Sequence, residues 1–554
     1  MAAAPLLRVP PFPGARVSSI AGQGEAIGGD VRPLLDALRA ARVGGSFWAA
    51  QPALPAGALI LKPASRAQAT DMLARAAGTA RPVVLWLAGD DAARGLNSGD
   101  ALVVSGDCDP WHMLDHADAM WVDAADELAL LAAIAGTTLA CFGEGRFAAL
   151  DADATDRDAA LVRLAAAEIV APAYADPFIG NAMDAQGAIA LLSFWRGLID
   201  FNRPIRAAMG FARWKRATVE PLLWGGSPVR FAAATSEALA ALPGDGALAI
   251  WKARVPPAFL EAAERRDGPL YEVEDGFIRS VGLGADCVPP LSILIDRLGV
   301  HYDPGRANEL ERLLETGVFS DEMRDRAEKL RRRIIETGMS KYAVGQQAMA
   351  RPGGARPHIL VTGQVEDDRS VRFGGGGVTG NLDLLRRARA AEPDAYLLYK
   401  PHPDVEAGHR TGHVPDAEAL RYADAIVRDA GISALLDMVD GVHVITSLAG
   451  FEGLIRGKAV TTHGMPFYAG WGLTRDLGDI PVRRTAVRDV LDMVAAVLMV
   501  YPRYLDPVTQ LPCPPEILMH RLVAGVRKEN RVIVSARQWI GMARRRLAQV
   551  SGHR

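Results

Sequence analysis

Along the last third of the chain, apolar runs of four or five residues alternate with polar loops and stretches of helical spacing. The runs His358 to Thr362, Ala395 to Tyr399, Gly441 to Ile445 and Ala459 to Thr462 have the length and composition of buried strands. Strand, polar loop and helix repeated in that order predict a parallel α/β sheet, in which the loops after the carboxyl ends of the strands form the ligand crevice. Upstream, Leu248 to Trp251 and Leu270 to Val273 read as shorter strands set off by Pro and Gly, and Asn308 to Tyr342 has the periodicity of long amphipathic helices. Arg351 to Pro357 is a Gly/Pro linker. Two α/β lobes, 205–355 and 356–505, followed by a helical tail over 506–554, describe a two-lobed architecture.

The pattern of the later lobe recurs near the start of the chain. Ala21-Gly22-Gln23 aligns with Thr362-Gly363-Gln364, and Gly57 to Pro63 with Ala395 to Pro401. Leu114 to Asp118 aligns with Leu436 to Asp440, Phe142 to Ala148 with His463 to Ala469, and Tyr174 to Pro177 with Tyr504 to Pro507. In this alignment His402 faces Ala64, Asp367 and Asp368 face Ala26 and Ile27, and Thr446-Ser447 faces Ala124-Ala125. The apolar scaffold is kept and the reactive side chains are not. Residues 1–204 are therefore expected to form a degenerate Rossmann-like half-module without catalysis, although two Ala-rich α/β segments also resemble each other by chance.

A chain of 554 residues is too long for one core. Apolar residues at 49% and charged residues at 23% are those of an ordinary globular protein, and a net charge of −3 excludes a generic basic nucleic-acid binder. Cys108, Cys141, Cys287 and Cys513 are too scattered for a zinc site or disulfide framework, and read as buried thiols in a reducing compartment. The N-terminus lacks a continuous apolar signal segment. The most apolar windows, Leu128 to Cys141 and Val490 to Val500, fall short of the roughly 20 residues that span a bilayer. A cytoplasmic location, with room for peripheral contact at the inner membrane, is the expectation.

Four stretches carry candidate chemistry. Glu274-Asp275-Gly276-Phe277 follows a strand, where either carboxylate is placed for general acid/base work; a capped turn is the plainer account. Gly363 to Phe373 sets Glu366, Asp367 and Asp368 beside Arg369 and Arg372, ahead of the glycines 374–377. There Arg369 or Arg372 suits a sugar carboxylate, and Asp368 or Asp367 an anomeric carbon; a flexible glycine loop or a Mg²⁺ site are the competing accounts. Lys400-Pro401-His402-Pro403 puts a cation and an imidazole at a stiffened strand end, suited to phosphate oxygens. Ser447 begins a helix whose free N–H groups suit phosphate, with Glu452 beyond it for ribose hydroxyls; a helix cap and a surface charge are the plain alternatives. Met465 and Phe467 are candidates to frame a base edge, and Trp471 to pack.

Glu274 to Phe277 with Arg279 to Gly284, Gly363 to Asp368, Lys400 to Pro403 and Gly464 to Leu473 together resemble the capsule polysaccharide biosynthesis proteins of the KpsC type, over about Ile205 to Asn530. The resemblance implies a retaining β-Kdo transferase of GT-B architecture, using CMP-Kdo and a lysophosphatidylglycerol-linked Kdo acceptor beneath a Gram-negative capsule. It implies a CMP-sugar-binding lobe at 356–505 and an active site lined by Glu274 and Asp275, Gln364 and Asp368, and His402 and Pro403. Arg279 and Lys400 fall within the same motifs. Neither cofactor nor metal is expected, and contact with the inner membrane and capsule export machinery follows from the same likeness. Members typically carry two complete modules; here the first copy lacks its preceding lobe and its catalytic side chains, so one linkage activity is the expectation. The alternatives are a transferase for another CMP-activated acidic sugar, such as a sialic acid, and an inactive assembly scaffold.

Overall fold

The computed structural model describes residues 5–525, except 90, 92–94, 279–287, 340–349, 353 and 409. The chain forms two compact units: Met1–Ile205 with Leu223–Val229 and Val508–Leu511, and the remainder.

The first unit is built on a parallel sheet of β1 (Ala58–Lys62), β2 (Val83–Leu87), β3 (Leu102–Ser105), β4 (Ala117–Asp123) and β5 (Thr138–Phe142), in the order β3-β2-β1-β4-β5. The strands are apolar because helices cover both faces of such a sheet. The short strands β6 (Tyr174–Ala175) and β7 (Ala182–Met183) form a separate antiparallel pair. The Leu128 window is the buried eight-residue helix Leu128–Ala135. Among the described residues, no helix is long and apolar enough to cross a membrane.

A buried charge network stabilises this unit. Asp109, fully buried, caps the helix Pro110–His116 by accepting from Trp111 N–H at 3.0 Å. It also takes Arg196 at 2.8 Å, Gln51 at 2.8 Å and Arg203 at 3.5 Å. Removing one partner of a buried pair strands the other charge, a loss of about 3–5 kcal/mol. Asp109→Ala is accordingly expected to lower the urea midpoint of this unit's unfolding transition by that amount of stability; a change under about 1 kcal/mol would place the network at the level of a surface ion pair.

The second unit holds two lobes. The first has β8 (Ile205–Met209), β9 (Phe231–Ala232), β10 (Ala247–Ile250), β11 (Leu270–Asp275) and β12 (Ser292–Asp296). The second has β13 (His358–Thr362), β14 (Tyr396–Lys400), β15 (Ala425–Ile426), β16 (Gly441–Val444), β17 (Ala459–Thr462) and β18 (Arg475–Asp476), all parallel in the order β15-β14-β13-β16-β17-β18. That is the Rossmann order 3-2-1-4-5-6, and the unit is a GT-B-like pair of Rossmann-type lobes. The chain then crosses back: β19 (Pro502–Leu505) and β20 (Pro512–Cys513) extend the first lobe's sheet beside β12, ahead of the helix Pro515–Val523. The expected helical tail thus opens with strands. The expected long helices over 308–342 appear as Glu309–Thr316 and Asp321–Thr337.

The first unit repeats the order of the last sheet strand for strand, lacking only a counterpart of β18. The repeat extends to a wide π-turn, Ala166–Val170 in one copy and Ala495–Val500 in the other. In each copy a tyrosine hydroxyl just beyond closes on that turn: Tyr174 on Ile169 O at 2.8 Å, and Tyr504 on Leu498 O at 2.7 Å. The registration differs from the sequence alignment in its first third. By sheet position β1 corresponds to β13, not to β14, because β1 lies between β2 and β4 as β13 lies between β14 and β16. Ala21 bridges Tyr174 as Ser292 bridges Tyr504, so it corresponds to Ser292 rather than Thr362. The shared Lys-Pro at two strand ends drew the alignment one strand out of step, and Ala64 does not stand at the position of His402. In the corrected register the loop after β1, Pro63 to Arg66, contains no carboxylate.

Candidate active site

Loops after β11, β13, β14, β16 and β17 carry the candidate residues. A buried bracket fixes two of them at the point where the strand order reverses. Gln364 accepts from Thr446 N–H at 2.8 Å and donates to Thr446 Oγ1 at 3.0 Å. Its backbone is held by Asn381, which takes Gln364 N–H on Oδ1 and donates to Gln364 O and Gly412 O, each at 2.8 Å. Gln364 therefore positions the loops, and both ends of its amide are engaged. The first unit carries a corresponding stitch, Gln68 to Asp123 at 2.8 Å.

Asp368 caps the short helix Arg369–Gly374; its Oδ1 takes Ser370 N–H at 2.9 Å and Ser370 Oγ at 2.7 Å. Asp367 is turned outward to Arg410 and Thr411. Arg369 reaches across to the first lobe, donating to the Tyr302 hydroxyl at 3.4 Å, and that hydroxyl donates to Glu274 Oε1 at 3.2 Å. Burial, then the charge of Asp275, pushes the Glu274 carboxyl up to about 7. Asp275 is ion-paired at 3.1 Å with Lys215, whose ammonium lies 3.4 Å from the centre of the Trp251 ring. The two neighbouring carboxylates thus have different environments, which separates their roles.

His402 caps the helix Pro403–Glu406, its Nδ1 accepting from Asp404 N–H at 3.2 Å. That bond leaves the proton on Nε2. Burial lowers the imidazole pKa, partly opposed by Asp404 and Asp368. His402 is therefore a neutral donor through Nε2–H at physiological pH. Pro403 occupies the first turn of that helix, where it needs no N–H partner. Lys400 turns away to Arg428 O at 3.3 Å, and burial lowers its pKa.

Ser447 caps the helix Leu448–Ile455 through Ala449 N–H at 3.2 Å. Glu452 on that helix is only 7% exposed, so it is no surface charge. Gly450 is required there: a Cβ would lie 2.2 Å from the Tyr468 hydroxyl, which donates to Ser447 O. Met465 commits its N–H to Gly374 O at 2.7 Å, joining the glycine loop to the loop after β17. Phe467 lies among Phe277, His301, Phe451 and Tyr468, with ring centroids 4.9–5.7 Å apart, and so packs between the lobes instead of presenting an edge to a base. Trp471 is fully buried and donates to Phe467 O at 2.9 Å. Arg372 lines an open cleft of about 290 Å³ with Glu366, Val371 and residues 375–380. Arg279 lies outside the described residues. No group of three or more His, Cys, Asp or Glu side chains among the described residues is arranged to hold a metal ion.

Sequence reasoning missed Tyr302, Lys215, Asn381 and the Glu311–Arg484 pair. Arg484, buried, donates to Pro466 O at 2.9 Å and Ala469 O at 2.7 Å while meeting Glu311 at 3.4 Å, so it shapes the loop after β17. Their partners are 15 to 173 positions away in the chain, and no local motif signals them.

A family model described as capsule polysaccharide biosynthesis protein matches residues 257–504. The capsule polysaccharide modification protein LipA of Neisseria meningitidis serogroup A is 40% identical over 347 residues, 62% of this chain and 49% of that protein. The lipopolysaccharide-processing protein LpsZ of Rhizobium meliloti is 44% identical over 240 residues, 43% of this chain and 54% of that protein. The chain thus spans about half the length of these curated relatives. Among solved structures, the β-Kdo 2,7 transferase of Thermosulfurimonas dismutans KpsC is 31% identical, covering 58% of this chain and 99% of that one, with a TM-score of 0.48.

Proposed function

From the premise that this chain belongs to the capsule polysaccharide biosynthesis family of the KpsC type, we propose that its second unit is a retaining glycosyltransferase. It moves β-Kdo from CMP-Kdo to a lipid-linked Kdo acceptor. The observation that carries the reading is the convergence of Glu274, through Tyr302 and Arg369, on the loop that bears Asp368. That arrangement puts one carboxyl able to exchange protons near neutrality beside another held by hydrogen bonds.

In this mechanism the CMP phosphate is met by the Nε2–H of His402 and the helix start at Ser447, with Glu452 toward the ribose. Asp368 attacks the anomeric carbon as the bond to CMP breaks. The acceptor hydroxyl then attacks the glycosyl–aspartate, its proton passing to Glu274, and Asp368 leaves as carboxylate. Two inversions give net retention. Donors fixed before reaction stabilise the leaving phosphate, and the scheme has no step that calls for a metal.

Incubation with CMP-Kdo and a synthetic Kdo-primed lipid, followed by mass and NMR analysis, tests the proposal; no product would sink it. His402→Ala is expected to weaken CMP binding about tenfold by calorimetry, the value of one hydrogen bond to a charged oxygen. Unchanged affinity would remove His402 from the nucleotide site.

A further inference from the structure

The glycine run after Asp368 forms a shaped turn. Val378 N–H closes on Gly375 O at 3.1 Å, and the two central residues, Gly376 and Gly377, have φ of +59° and +78°. Positive φ at both positions is the type I′ pattern that selects glycine. Gly375 is right-handed, with φ −69° and ψ −16°, and is followed by the positive φ of Gly376. A right-handed residue followed by a left-handed one brings successive N–H groups onto one concave face, a nest for an anion. No acceptor among the described residues takes the N–H of Gly376 or Gly377.

This turn is one wall of the cleft of about 290 Å³, and Arg372 stands on another. Nearby arginines are committed: Arg369 to Tyr302, Arg410 to Asp367, Arg386 and Arg387 to Asp383. The Arg372 guanidinium, exposed, has no hydrogen-bond or ion-pair partner among the described residues. Glu366 closes the cleft opposite, with Oε1 fixed by Asn381 N–H at 2.8 Å. That bond already answers the start of the helix Asn381–Ala391, so the open anion subsite is the turn and not the helix end.

We propose that Arg372 and the Gly375–Gly377 turn bind the carboxylate of an acidic monosaccharide, with Glu366 accepting from its hydroxyls. A carboxylate fits the planar fork of one arginine together with two N–H groups. A dianionic phosphate would face the Glu366 carboxylate without compensation, whereas ring hydroxyls supply donors to it. The volume lies at the bottom of the range for small-molecule sites, enough for one ring and too little for a nucleotide. The proposal rests on the transferase reading only for the identity of the sugar.

Saturation-transfer NMR and calorimetry with three probes test it: free Kdo, its methyl ester, and CMP. The wild type is expected to bind the free acid at least about tenfold more tightly than the ester. Arg372→Ala and Gly377→Ala should each weaken the acid about tenfold and leave CMP within twofold. Gly377 has no atom within 4 Å of an added Cβ, so its methyl group enters open space at the turn. Gly457→Ala carries the same left-handed strain, at φ +69° with no neighbour within 4 Å, and should leave all three affinities unchanged. Equal binding of acid and ester, no binding of the acid by wild type, or full affinity in both cleft variants would overturn the subsite. Failure of the wild type to bind CMP would instead strike the transferase reading and leave the carboxylate comparison interpretable.

Discussion

Asp368→Asn is expected to lower Kdo transfer by about ten-thousand-fold or more while CMP affinity and the melting temperature stay near wild type. Asparagine caps a helix about as well as aspartate, so the bonds from the Ser370 amide and hydroxyl persist and the helix Arg369–Gly374 keeps its start. What the substitution removes is the carboxylate that would form the covalent bond to the anomeric carbon. Asp368→Ala removes the cap as well, at a cost of about 1 kcal/mol, and so confuses the two roles. The distinction matters because a cap is the plainest account of this side chain. Turnover in Asp368→Asn within tenfold of wild type would leave Asp368 as a helix cap and nothing more. Mass spectrometry of the wild type with CMP-Kdo and no acceptor should show a sugar adduct on the peptide containing Asp368, absent in the variant.

The strands of the second unit's last sheet were legible because each is a short apolar run ended by a polar loop, and β17 lies within its expected bounds to the residue. The motif residues were legible as a set for the same reason: the loops of a parallel sheet present consecutive polar side chains at strand ends. Their division of labour was not. Gln364 and Phe467 have the chemistry of ligand contacts, yet one brackets β13 to β16 and the other fills a ring cluster. Glu274 and Asp275 were indistinguishable as neighbours on a strand; Tyr302 on Glu274, and Lys215, 60 positions upstream, on Asp275, separate them. The repeat was visible, but Lys62-Pro63 and Lys400-Pro401 placed it one strand out of step. Strand order is a property of the folded sheet, and a local dipeptide match carries no information about it. The glycine run read equally as a plain loop; it becomes a site only when its φ values and the uncommitted Arg372 are seen together.

Glu274→Gln is expected to lower kcat by 10²–10⁴, about the contribution of a positioned proton acceptor, and to flatten the pH dependence of transfer. The leaving CMP phosphate departs as a stable anion and needs no proton, whereas the acceptor hydroxyl must lose one; Glu274 is therefore needed as carboxylate. Its carboxyl is held up to about 7, first by burial and then by Asp275. A base with a raised pKa is protonated and idle below it, so the wild-type rate should climb through pH 7 and at pH 6 stand at about a tenth of its plateau. Asp275→Asn supplies the sign check. It removes a charge that raises the Glu274 pKa and releases Lys215, which lowers it, so the limb should move to lower pH with the plateau largely kept. An acid role would produce the mirror image, with activity falling as pH rises through 7. A wild-type profile flat from pH 5.5 to 8, or full turnover in Glu274→Gln, would transfer the proton to another group.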